Sequence, residues 1–155
     1  MRRSNTKARA TSLGILFIIL CGAAQIANAD FVFGEPENLG PVVNTVFSES
    51  GPCLSPDGLT LYLCDVPFDL APDGYGGQDL WMATRAATHA PWGQRMNMGP
   101  TLNTSFDDGT PSISSDGLTL YFSSTRPGGS GSCDLWMTTR PSPSGPWGTP
   151  TNLGP

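Results

Sequence analysis

One unit is written twice in this chain. LSPDGLTLYL, Leu54 to Leu63, returns 59 residues later as ISSDGLTLYF, Ile113 to Phe122. DLWMATR, Asp79 to Arg85, returns 55 residues later as DLWMTTR, Asp134 to Arg140, and Pro91-Trp92-Gly93 returns as Pro146-Trp147-Gly148. Repetition at this period constrains the fold more than any other feature: each repeat is one supersecondary piece that buries its apolar face against a neighbour. The drop from 59 to 55 puts a four-residue length difference between CDVPFDLAPDGYGGQ and SSTRPGGSGSC. A Gly, Pro and Asp-rich stretch that changes length is a surface loop. A nine-residue phrase frames the units, as FGEPENLGP (Phe33 to Pro41), WGQRMNMGP (Trp92 to Pro100) and WGTPTNLGP (Trp147 to Pro155).

Inside each unit the pattern is that of strands. Asp57-Gly58 and Asp116-Gly117 stand between short apolar runs, a hairpin signal because glycine supplies the positive φ of a tight turn. Leu59 to Leu63 and Leu118 to Phe122 then alternate apolar and polar side chains, which puts one set on a buried face. The DLWMATR and DLWMTTR runs predict a third strand, and the nine-residue phrase a fourth short extended piece closed by a turn. Pro and Gly leave no window for an amphipathic helix after the leader. The expectation is all-β: two four-stranded antiparallel repeats of about 55 to 59 residues, with the grammar of propeller blades.

These residues carry a resemblance. PSISSDGLTLYFSSTRPGGSGSCDLWMTTR resembles the WD40-like β-propeller repeat of exported bacterial proteins, the TolB-type family. That repeat centres on S-x-D-G-x-x-L-Y-F, often followed by R-P-G-G and a D-[LI]-[WY] strand, and Ser114 to Trp136 matches it. The first copy lacks the Arg-Pro-Gly-Gly, so a role of Arg126 does not carry over to it. The resemblance covers residues 33 to 155 and implies a module that presents loops to protein or small ligands. Fold alone does not assign activity.

The N-terminus explains how such a chain would be exported. Arg2, Arg3, Lys7 and Arg9 precede an apolar run, Leu13 to Ala24, and Ala27-Asn28-Ala29 forms an A-x-A site. This describes a signal peptide over residues 1–29, cleaved before Asp30; its apolar run is shorter than the roughly 20 residues of a spanning helix. The expected domains are therefore the leader and a repeat segment over 30–155, with unit one about 33–98 and unit two about 92–155. After cleavage four arginines and no lysine face thirteen carboxylates, a formal net charge of −9. Such a surface repels nucleic acid and anionic headgroups. The product is expected to be periplasmic or extracellular, with no membrane span.

The candidate site residues divide by role. Asp79 and Asp134 recur before Leu-Trp; a carboxylate present once per unit accepts backbone N–H bonds from the preceding loop, while Asp57 and Asp116 shape turns. Trp81, Trp136, Trp92 and Trp147 are expected to pack between units, the sharper alternative being an exposed platform for a sugar ring. His89 aligns with Ser144 in a Pro-rich loop, and no Ser-His-Asp arrangement is indicated. No cofactor is expected. Asp65, Asp69, Asp73 and Asp79 in the long loop of unit one are the one calcium candidate, although their spacing is not that of an EF-hand. Cys53 and Cys64 correspond to Ser112 and Ser123, so both change together; on the two arms of the hairpin they suggest a disulfide specific to unit one. Cys133 aligns with Gln78 as the leftover thiol.

Three functions follow as expectations. The first is a non-enzymatic binding or scaffold module, with a protein partner or self-association through open blade faces. The second is a carbohydrate-active propeller, a lyase or glycosidase, which needs paired carboxylates in a cleft. The third is a piece of a longer propeller, since two blades do not close a ring.

Overall fold

The computed structural model describes residues 34–65 and 73–155. Pro36–Pro155 forms one compact unit. The expected leader and its cleavage site, and Asp69 of the calcium candidate, lie outside the described residues.

Eight strands and no helix are found among the described residues. They are β1 (Glu49–Leu54), β2 (Thr60–Asp65), β3 (Leu80–Thr84), β4 (Met96–Asn97), β5 (Asp108–Ile113), β6 (Thr119–Ser124), β7 (Asp134–Thr139) and β8 (Thr151–Asn152). Two four-stranded antiparallel sheets form in sequence order, β1-β2-β3-β4 and β5-β6-β7-β8. The all-β expectation with four strands per repeat is what the chain builds.

The hairpin turns follow from four residues each. Ser55 Oγ donates to Asp57 Oδ1 at 2.6 Å and accepts the Thr60 N–H at 2.8 Å, while Asp57 Oδ1 also accepts the Leu59 N–H at 2.9 Å. Ser114, Asp116, Leu118 and Thr119 repeat the set. Gly58 and Gly117 both hold φ of +71°, where a Cβ is costly. The nine-residue phrase closes on a second recurring turn: Asn38, Asn97 and Asn152 each accept, through Oδ1, the N–H of the glycine two residues on, at 2.7 to 2.8 Å. Its first copy, Gly34 to Gly40, makes this turn without forming a strand.

A bulge breaks the register of each hairpin, between Ser50 and Cys53 and between Gly109 and Ser112. Gly51 sits there at φ +58° and Thr110 at +48°. This register corrects the disulfide expectation. Counting outward from Asp57-Gly58 puts Cys53 opposite Tyr62, and past the bulge Cys64 faces Ser50. The two cysteines are never cross-strand partners, and Cys53, Cys64 and Cys133 are all free thiols.

Alternation along the strands sorts side chains onto faces. Tyr62, Cys64 and Leu80 of the first sheet meet Leu120, Phe122 and Trp136 of the second, with Leu102 of the connection among them. The opposite face of the first sheet gathers Leu61, Leu63, Trp81 and Ala83 under Val43. The two sheets thus stack face to face, joined by one shared core.

Candidate functional site

The junction between the sheets is organised by the turn at the end of the connecting phrase. Gly99, at φ +82°, turns the chain after β4, and its carbonyl accepts the Asn103 N–H at 2.9 Å. That turn aims the buried Asn103 side chain at the first sheet. Asn103 Oδ1 accepts the Leu80 N–H at 2.8 Å, and Nδ2 donates to the Leu80 carbonyl at 2.9 Å and to Asn97 Oδ1 at 2.7 Å. A buried polar group without partners costs about 1–3 kcal/mol, so this pairing fixes how the sheets meet.

Both thiols of the first sheet belong to the same junction. The Thr110 N–H points to Cys64 Sγ at 3.3 Å and the Ile113 N–H to Cys53 Sγ at 3.4 Å. The coupled Cys-to-Ser change between the repeats therefore marks two acceptor positions facing the next strand. Beside them Gln78 crosses over Gly109. Its backbone carbonyl accepts the Asp108 N–H at 2.6 Å, and its N–H donates to Asp107 Oδ1 at 3.0 Å. A Cβ at Gly109 would overlap the end of the Gln78 side chain, which would have to move aside.

Each described tryptophan carries an arginine. Arg85 lies over Trp92 and Arg140 over Trp147, both at 4.3 Å, Arg95 over Trp81 at 4.4 Å, and Arg126 over Trp136 at 5.2 Å. The first two are equivalent by repeat, and each guanidinium also donates through Nε to the carbonyl of its turn glycine, Gly58 or Gly117, at 2.8 Å. The other two reach equivalent indoles from different places. Arg126 follows β6 and pairs with Asp108; Arg95 precedes β4 and pairs with Glu49 at 2.8 Å. Glu49 and Asp108 occupy the same repeat position, and each also accepts both the N–H and the hydroxyl of its own threonine, Thr45 or Thr104. Sequence reasoning missed Arg95, because its repeat counterpart is Pro150.

The tryptophans split by exposure. The expected packing between units holds for Trp136 and Trp147, which belong to the core shared by the two sheets, but not for Trp81 and Trp92, which pack with Leu61, Leu63 and Ala83 on the opposite face of the first sheet. Trp81 and Trp136 are buried, with Trp81 Nε1 donating to Asp65 Oδ2 at 3.0 Å; Trp92 and Trp147 are half-buried. Asp79 and Asp134 accept loop N–H groups: Tyr75 donates to Asp79 at 2.7 Å and Gly131 to Asp134 at 3.1 Å. Burial pushes the Asp79 and Asp65 carboxyls above the ordinary aspartate range, against the N–H bonds that pull them down. The exposed Asp57 and Asp116 lie below that range, first because of the hydroxyls of Ser55 and Ser114, then the N–H groups of Leu59 and Leu118.

Of the calcium candidates, Asp65 spends its oxygens on the Asp79 N–H and the Trp81 indole, Asp79 is buried, and Asp73 stands exposed. No group of three or more metal-ligating side chains occurs among the described residues. His89 is exposed on its loop. Among the described residues no helix is long and apolar enough to cross a membrane.

The far face of the second sheet repeats the junction without its cover. Tyr121 and Leu135 correspond to Tyr62 and Leu80; the first pair is 39% and 61% exposed, the second 0%. At the other end of the stack Val46, the counterpart of Ser105, is 94% exposed. Beside it a cleft of about 350 Å³ opens between Val42, Thr45, Phe47, Trp81, Gln94 and Arg95.

No protein-family model matches the chain, and no curated protein matches it.

Proposed function

We propose that this chain is an exported, non-enzymatic module of the β-propeller repeat type, of the WD40-like TolB kind, that binds or scaffolds a protein in the cell envelope or outside the cell. Two stacked four-stranded meanders with equivalent turns, bulges and connecting loops support the blade assignment. The observation that carries the binding role is the exposure of Leu135 and Tyr121, residues whose counterparts form the core of the junction. Exposed apolar patches of this kind mark interaction surfaces.

A sugar platform needs an open indole face, and the Trp81 ring beside the cleft of about 350 Å³ lies under Arg95.

Glycan arrays run beside protein pull-downs on the exported chain, with Leu135→Lys as control, test the assignment. A protein retained by the wild type and lost with Leu135→Lys is the expected outcome. Glycan binding that Leu135→Lys leaves intact would favour the carbohydrate-active alternative.

A further inference from the structure

We infer that the partner of the exposed face on the second sheet is a second copy of this chain, docked head to tail. The contact continues the established interface between the sheets by one repeat. It deepens the binding role proposed above, and it can fail without that role failing.

The inference rests on position-by-position equivalence. The residues that the junction needs from the first sheet recur on the far face of the second: Tyr121 for Tyr62, Leu135 for Leu80, Ser112 and Ser123 for Cys53 and Cys64. The residues it needs from the second sheet recur at the start of the first: Val43 for Leu102, Asn44 for Asn103, Gly51 for Thr110 and Leu54 for Ile113. Asn44 is already preset. Its N–H bonds to the Gly40 carbonyl at 2.9 Å and its Nδ2 to Asn38 Oδ1 at 3.1 Å, the same two bonds that aim Asn103. In the dimer Asn44 Oδ1 accepts the Leu135 N–H, and the Ser112 and Ser123 hydroxyls accept the N–H groups of Leu54 and Gly51 where sulfur does so within the chain.

Two differences between the repeats compensate each other across this contact. Within the chain the long Gln78 passes over Gly109, which has no side chain. Between copies the equivalent residues are Cys133 and Ser50, so a shorter side chain meets a larger one. The loop Gly131 to Cys133 then lies along Val46 to Ser50, as Gly76 to Gln78 lies along Ser105 to Gly109. That covers Val46, otherwise an apolar side chain in full solvent. One segment must give way. Leu153 to Pro155 and the incoming Leu39 to Pro41 both correspond to Met98 to Pro100, and the exposed Leu153 to Pro155 swings aside, the Leu39 N–H replacing the Leu153 N–H that donates to the Leu135 carbonyl at 3.0 Å.

Such a contact joins unlike surfaces, so it propagates to a closed ring or an open filament. The test is light scattering on the whole chain, recovered after expression with its own leader, over a dilution series. Wild type is expected at no less than twice the monomer mass, and removal of Leu153 to Pro155 is expected to hold that mass to higher dilution. Leu135→Lys and Asn44→Lys each give monomer, and an equimolar mixture of the two recovers a dimer, because each supplies the face the other lacks. If Asn44→Lys alters the near-ultraviolet circular dichroism, Val46→Lys replaces it, since that side chain touches solvent. A monomeric wild type, a single variant that keeps the wild-type mass, a mixture that stays monomeric, or a truncation that dissociates the assembly would each overturn the inference. A monomeric wild type that still retains its pull-down partner overturns self-association alone; loss of both overturns the binding role as well.

Discussion

Asn103 holds Leu80 by both ends of its peptide, accepting the N–H at 2.8 Å and donating to the carbonyl at 2.9 Å across 23 residues of sequence. The carbonyl has a second donor in the Met98 N–H, so truncation strands chiefly the Leu80 N–H. Asn103→Ala is expected to cost about 1–3 kcal/mol. Asn44→Ala, whose half-exposed side chain bonds only within its own loop, should change monomer stability by less than about 0.5 kcal/mol. Urea unfolding at a concentration where the chain is monomeric checks the contrast; equal losses would show that the turn rather than the clamp matters.

Arg126 and Asp108 form a pair in which the carboxylate is fully buried. Removing one partner leaves an uncompensated charge, so Arg126→Ala should destabilise by about 3–5 kcal/mol. Adding Asp108→Ala to it is expected to cost much less than the sum of the single losses. Arg95→Ala should fall short of Arg126→Ala, because the Glu49 carboxylate keeps some contact with water. A double-mutant cycle by chemical denaturation measures all three.

The thiols give a chemical test of register. Cys53, Cys64 and Cys133 should all alkylate in denaturant without reductant. In the folded monomer, at a dilution where the chain is monomeric, the exposed Cys133 reacts first, and the buried Cys64 only on unfolding. Peptide mass spectrometry reads both stages, and a Cys53–Cys64 disulfide would contradict the strand pairing.

Buried Asp79 titrates above the ordinary aspartate range because burial disfavours its charge. The folded state therefore binds this proton more tightly than the unfolded chain. The stability it contributes is fully present below the unfolded value and is lost as pH rises through the raised one. Asp79→Asn, with its amide oxygen in the place of Oδ2 where it accepts the Tyr75 N–H, should melt higher than wild type at neutral pH. That advantage should shrink as pH falls toward the ordinary aspartate value. Melting curves across mildly acidic pH decide it; an advantage that grows on acidification would reverse the assignment.

What was legible in the sequence is what is local. Ser55-Pro56-Asp57-Gly58 determines its own turn, since its hydroxyl, carboxylate and glycine act within five residues. Asn97 and Gly99 do the same for the connecting loop. Long-range features were not readable in this way. A Cys53–Cys64 disulfide fails because the register, counted outward from the turn, sets Cys53 against Tyr62, and the bulge at Gly51 adds a further slip. Glu49 and Arg95 lie 46 residues apart, and the second repeat offers Pro150 where Arg95 would be sought. Only the folded backbone shows that another arginine serves the same carboxylate position there.

That substitution of one arginine for another bears on how the two repeats came to differ. In the second repeat the cation for Asp108 is drawn from the segment between β6 and β7, so changes in that segment risk stranding a buried charge. In the first repeat the cation for Glu49 comes from ahead of β4. The segment between β2 and β3 is thereby released from that duty, and it is the one that is longer by four residues and lacks the Arg-Pro-Gly-Gly. With its cation held elsewhere, the longer segment can change without stranding the Glu49 carboxylate, whereas its twin cannot lose Arg126 without stranding Asp108.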